Sequence, residues 1–182
     1  VFKDKFTDGE PVQTENSYIG RNVSVTWRRF EDKSTGRFVV YYVADVYIRN
    51  TDYFKTARSS GFSSDVADMA QKNDAIVAIN GDYFGARNQG TVVRNGQLIR
   101  ESVFKDTLVL FKNGVMKVYS KEEFNLGKIQ AAAEAEGTSV LDVWSFGPSL
   151  LDAEGNAKTE FDSSVTPANP RSAIGAYEPG HY

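Results

Sequence analysis

Two stretches in the first third of the chain alternate in a way that predicts a β-hairpin. Over Val23-Ser24-Val25-Thr26-Trp27-Arg28-Arg29-Phe30, apolar and polar residues trade places with a period of two, the pattern of a half-buried strand. Residues 31–36 have turn composition, and residues 37–49, rich in Val and Tyr, supply the second strand. Farther on, Val66, Met69 and Ala70 fall at i, i+3 and i+4 behind Ser63-Ser64-Asp65, which predicts a helix over 66–72. The run Ala75-Ile76-Val77-Ala78-Ile79 has no period and predicts a strand buried on both faces, the centre of the fold. Two hairpins follow, 91–94 with 97–100 around Asn95-Gly96, and 108–111 with 115–119 around 112–114. An Ala- and Glu-rich helix over 126–136 stops at Gly137. The apolar run 140–151 should break at Gly147-Pro148, since proline cannot donate into a ladder. Residues 173–177 read as a last short strand, and residues 1–20 as an irregular lead-in to one domain over 21–182. The expected class is α+β, a mixed, mainly antiparallel sheet with flanking helices.

Composition narrows the chemistry. The chain has 182 residues, 41% hydrophobic and 25% charged, enough for one domain with a sizeable core. A net charge of −3 with mixed signs carries no footprint for nucleic acid, and no apolar run is long enough to span a membrane. Cysteine is absent and His181 is the single histidine. Thiol nucleophiles, thiolate zinc sites and a Ser-His-Asp triad within this chain are thereby set aside. Acid–base work falls to carboxylates, tyrosines, lysines or arginine-assisted water. No metal site can be assembled from the residues, and no cofactor is expected, although a calcium site of carboxylates and carbonyls stays open.

The run 75–79 ends in Asn80-Gly81-Asp82-Tyr83-Phe84. Asn and Gly tolerate positive φ and Asp can hydrogen-bond nearby amides, so this is either an ordinary turn or an acidic turn offered to a ligand. Asp45, set among apolar residues of the second strand, is either an outward solvated acid or a carboxylate facing a cleft.

Three stretches together resemble the phosphodiester glycosidase family. They are Ala78 to Phe84 with Gly90 and Arg94-Asn95-Gly96, then Ser145-Phe146-Gly147-Pro148-Ser149-Leu150, then Asn169-Pro170-Arg171-Ser172-Ala173-Ile174-Gly175. The resemblance extends over roughly residues 40–182 and implies hydrolysis of a sugar-1-phosphodiester in a cell-surface or secreted glycan, outside the cytoplasm. The alternative is a carbohydrate- or wall-binding module on the same fold. In the family, another strand, a Gly-Arg turn, a helix and a Gly-rich segment follow the Asn-Pro-Arg strand, so such a C-terminal segment, as a separate chain, is an expected partner beside the glycan substrate.

Under that resemblance, Arg171 suits phosphate binding, because a guanidinium meets phosphate oxygens with two parallel bonds. Asp82 is the candidate nucleophile, general base or oxocarbenium stabiliser. Glu101, or else Asp106, would be a second carboxylate. Asn80, Gly81, Tyr83 and Gly90 would bind sugar or phosphate, with Ser145 and Gly147 as a cleft wall. Phe84 is expected to pack inward.

Overall fold

The computed structural model describes residues 2–34, 36–59, 64–82, 84–85, 87–161 and 169–182. Its elements fall into two antiparallel sheets and two α-helices. The first sheet has the order β1-β2-β3-β4, with β1 at Val12–Gln13, β2 at Ser17–Ile19, β3 at Val23–Asp32 and β4 at Val39–Ile48. Residues read as an irregular lead-in thus include two short strands, and β2 pairs with β3 from Ser17↔Thr26 to Ile19↔Ser24. The hairpin of β3 and β4 is the one the alternation predicts, in register from Val23↔Ile48 to Asp32↔Val39.

The second sheet has the order β6-β5-β9-β7-β8. Its strands are β5 (Val92–Arg94), β6 (Gln97–Arg100), β7 (Thr107–Phe111), β8 (Met116–Tyr119) and β9 (Val140–Ser145). Asn95 and Gly96 both take positive φ, +51° and +79°, the conformation a tight two-residue hairpin requires. Helix α1 (Val66–Lys72) is capped by Asp65, whose side chain accepts from the Ala67 N–H at 2.7 Å. Helix α2 (Leu126–Ala135) is capped by Asn125 and buries Leu126, Ile129 and Ala133 along one stripe.

That stripe packs on one face of the second sheet with Val93, Val109, Phe111, Val140 and Val143. The opposite face meets the first sheet. There Ile48 of β4 and Leu110 of β7 gather with Tyr182, and Val46, Phe54 and Trp144 pack around them. Each fully buried Val, Leu or Ile contributes about 1.5–3 kcal/mol, so these two layers carry the fold.

The central strand is β9, not residues 75–79. Those five residues form no strand and are exposed, with Ile79 at 53%. Residues 173–177 likewise form no strand and lie exposed. An unbroken apolar run is buried only where elements cover both its faces. Strand β9 has α2 over Val140 and Val143 on one face and Ile48 and Tyr182 against Leu141 and Trp144 on the other, and it holds the central place expected for 75–79. No helix among the described residues is long and apolar enough to cross a membrane.

Candidate active site

Residues 80–82, expected as a turn, form none, and neither Asn80 nor Gly81 takes positive φ. This segment is held against the second sheet by charge. Asp82 and Arg94 form an ion pair with Oδ1 and Nη2 2.6 Å apart, and their side chains are only 7% and 6% exposed. Arg94 sits at the end of β5, where the two-residue period puts it on the same face as Val92. Its other terminal nitrogen donates to the carbonyls of Val93 and Val143, and its guanidinium lies 5.5 Å from the centre of the Trp144 ring. A Cβ added at Gly81 would stand 3.8 Å from the same ring. Trp144 is therefore the floor on which both Gly81 and the guanidinium rest.

Beside this pair lies a narrow cleft with about 10 Å³ of open space, room for roughly one water, lined by Asp82, Gly90, Arg87, Arg100, Phe104 and Phe146, among others. Arg100 of β6 organises its rim. Nε donates to the Gly90 carbonyl at 2.8 Å, Nη1 to Arg87 at 2.7 Å and Nη2 to Gln89 at 2.9 Å. One planar fork thus shapes the loop 87–90, which no shorter or more flexible cation would do as well. Phe84 is half-buried between two guanidinium groups, Arg58 at 5.5 Å and Arg100 at 5.6 Å. It is a ring among cations at the site, not the core residue expected of it.

Gly90 and Ser145 come together as a structural contact. Gly90 has φ +90°, and a Cβ there would stand 2.8 Å from the Ser145 Cβ, so only glycine permits this approach. The Ser145 hydroxyl accepts from the Thr91 N–H at 2.9 Å and lies 2.9 Å from the Thr107 hydroxyl. It lines the cleft while joining β9 to its neighbours. Gly147, at φ +42° before a cis proline, packs on Asp106, whose Oδ2 accepts from the Ser149 N–H at 3.0 Å. Asp106 therefore holds the loop after β9.

Asp142 of β9 is fully buried. Its Oδ1 accepts from the Thr56 hydroxyl at 2.8 Å and the Asn95 N–H at 2.9 Å, while Oδ2 has no partner among the described residues. Burial pushes its carboxyl pKa up, against the opposing pull of those two hydrogen bonds and the Arg94 charge.

The expected residues are distributed unevenly. Asp82, Gly90 and Ser145 line the one cleft. Asn80 is exposed and its Oδ1 accepts from the Ser172 hydroxyl at 2.5 Å, which brings the Asn-Pro-Arg segment beside the Asn-Gly-Asp segment. Arg171 is exposed in that segment. Glu101 is exposed and is not among the residues lining the cleft. Tyr83 lies outside the described residues. Asp45 faces His181, Nε2 to Oδ1 2.6 Å, in a cluster with Tyr47 and Tyr177. No group of three or more His, Cys, Asp or Glu side chains placed to hold a metal occurs among the described residues. Sequence reasoning assigned no role in the site to Arg94 or Arg100, yet both organise it. The signal for Arg94 was its place on the apolar face of a strand, immediately before a hairpin turn.

Comparison with curated proteins and with solved structures gave no match. A family model described as phosphodiester glycosidase matches residues 73–182, which include the Asn-Gly-Asp segment, Arg94, Ser145 and the Asn-Pro-Arg segment. That match covers more than half of the 182 residues, and the chain belongs to the phosphodiester glycosidase family.

Proposed function

We propose that this protein hydrolyses the bond between an anomeric carbon and the phosphate of a sugar-1-phosphodiester, in a glycan at the cell surface or outside the cell. The observation that carries this reading is the buried Asp82–Arg94 pair at a cleft rimmed by further guanidinium groups. A phosphodiester is an anion and a weakly basic leaving group, so the bond asks for cations around phosphate more than for a strong general acid. Arg94 fixes one oxygen of Asp82, which orients the carboxylate toward water or the developing oxocarbenium ion. Water adds to the anomeric carbon, the carbon–oxygen bond to phosphate breaks, and the phosphomonoester departs with the electron pair. The proton released from water passes to Asp82 or to solvent. Arg171, carried on the segment that touches Asn80, supplies a phosphate contact, and the sugar lies against Asn80, Gly81 and Gly90.

The test is a panel of sugar-1-phosphodiesters in ¹⁸O-labelled water, with the released sugar and phosphate analysed by mass. Hydrolysis at the anomeric carbon puts the label in the sugar. Label in the phosphate overturns the reading in favour of phosphorus–oxygen cleavage. Binding of the panel with no release of sugar overturns it in favour of a carbohydrate-binding module.

A further inference from the structure

Asp142 stands in the middle strand of the second sheet, 0% exposed, on the face that carries its cross-strand neighbour Leu110. Strands β5 and β9 pair as Val92↔Trp144 and Val93↔Val143. The same register carried one residue further sets Arg94 beside Asp142, and the two-residue period puts both on the Trp144 face. Arg94 thus has a carboxylate on either side, Asp82 and Asp142, but it treats them differently. Its terminal nitrogens donate to Asp82 and to the carbonyls of Val93 and Val143, and among the described residues none of its hydrogen bonds goes to Asp142.

The hydrogen bonds at Asp142 are lopsided. Oδ1 accepts from the Thr56 hydroxyl at 2.8 Å and the Asn95 N–H at 2.9 Å, whereas Oδ2 has no partner among the described residues. An ionised carboxylate shares its charge between two equivalent oxygens, and each calls for donors when buried. A neutral carboxylic acid has one carbonyl oxygen that accepts and one hydroxyl that carries the proton. Asp142 shows the second pattern, and a neutral hydroxyl left without an acceptor costs less than an ionised oxygen left without a donor. Burial raises its pKa and outweighs the two hydrogen bonds and the charges of Arg94 on β5 and of Lys55 in the segment before Thr56, the charged groups facing it among the described residues.

We infer that Asp142 is a neutral carboxylic acid with its proton on Oδ2, and that it thereby positions Asp82 by leaving the whole Arg94 charge to that carboxylate. An ionised Asp142 would set two carboxylates against one guanidinium and leave a net negative charge buried between the sheets. It would draw the field of Arg94 away from Asp82 and oppose the approach of an anionic phosphodiester. Asp142 acts only through Arg94, so it is a positioning residue. That role rests on the proposed hydrolysis, whereas the protonation state does not.

Difference infrared spectra of the parent and Asp142→Asn at neutral pH test the proton directly. The parent should show the carbonyl band of a neutral carboxylic acid, and the variant should lack it. Thr56→Val keeps Asp142 and removes one donor to Oδ1, so it should move that band to higher frequency. This identifies the band even if the asparagine variant fails to fold. The pH profile of kcat/KM for sugar release tests the positioning. In the parent it should have an alkaline limb falling about tenfold per pH unit as Asp142 ionises, and Asp142→Asn, neutral at every pH, should lack that limb. A merely structural Asp142 would change the height of the profile and not its limb. Absence of the acid band at neutral pH, or a limb that Asp142→Asn leaves in place, overturns the inference. A parent that shows the band and releases no sugar supports the neutral acid and sinks the hydrolytic reading instead.

Discussion

Replacing Arg94 with methionine keeps most of the buried stem and removes only the charged head. The head makes three hydrogen bonds, one to a carboxylate that is itself only 7% exposed. Removing one member of a buried pair leaves the other charge without compensation, at a cost of about 3–5 kcal/mol. At roughly 2–4 °C per kcal/mol for a chain of this length, the midpoint of thermal unfolding should fall by about 6–20 °C. Asp82→Asn should cost less, about 1.5–3 kcal/mol, because Arg94 keeps both carbonyl acceptors when the carboxylate becomes an amide.

The decisive quantity is the coupling between the two changes. In Asp82→Asn/Arg94→Met neither charge is stranded, so the double variant should lose less than the sum of the singles, by about 1–3 kcal/mol. Urea unfolding of the four proteins gives the cycle, provided the dependence on denaturant is the same in all of them. Additivity within about 0.5 kcal/mol would show that the pair does not hold the segment around Asp82. The same variants separate structure from chemistry. Asp82→Asn should lower kcat for sugar release about 10²–10⁴-fold, the range expected for removing an acid–base group, whatever its effect on stability.

Other perturbations test other contacts. Arg171→Ala should lower turnover of phosphodiester-linked sugars more than the same change at exposed Arg29, and unchanged turnover would remove Arg171 from the phosphate site. Gly90→Ala forces a Cβ to within 2.8 Å of Ser145 at φ +90°, and should cost more than about 1 kcal/mol in urea unfolding and reduce sugar release. Ile79→Ser should change stability by less than about 0.5 kcal/mol, as at ordinary surface positions, whereas a buried central strand would lose several times that. Asp142 has a pKa raised above the ordinary 3.8, so the folded chain keeps a proton that the unfolded chain releases. Its contribution to stability is therefore fully present below pH 3.8 and is lost as pH rises through the raised value. The gap in unfolding midpoint between Asp142→Asn and the parent should widen in favour of asparagine across that window, and parallel curves would refute the assignment.

The parts legible from sequence are those fixed by short-range rules. Asn95-Gly96 demands two positive φ angles in succession, and the hairpin forms where that demand falls. Val66, Met69 and Ala70 are the half-buried face of α1, as their spacing requires, and Asp65 caps it. Class, two helices and three hairpins follow from such local constraints. The illegible parts depend on which neighbour covers an apolar run. Residues 75–79 are wholly apolar and 140–145 include Asp142 and Ser145, yet the less apolar run becomes the centre of the sheet. Strand β9 takes that place because β5 and β7 flank it in antiparallel register. Arg94 and Arg100 were missed for a related reason, since the acceptors that hold them are backbone carbonyls of other segments.

This changes what positions the acid. A buried strand leading into Asn80-Gly81-Asp82 would hold Asp82 through its own backbone, and the rest of the cleft would only need to surround it. With 75–79 exposed, Asp82 is instead held from the side, by an arginine whose stem belongs to β5 and whose other bond reaches β9. The rigidity of the site then comes from two strands of the second sheet and the Trp144 ring between them. Substitutions along 75–79 should accordingly be tolerated far better than substitutions at Arg94. A stiff sheet acting through one guanidinium can aim a carboxylate, but it also makes that guanidinium the single point at which stability and catalysis fail together.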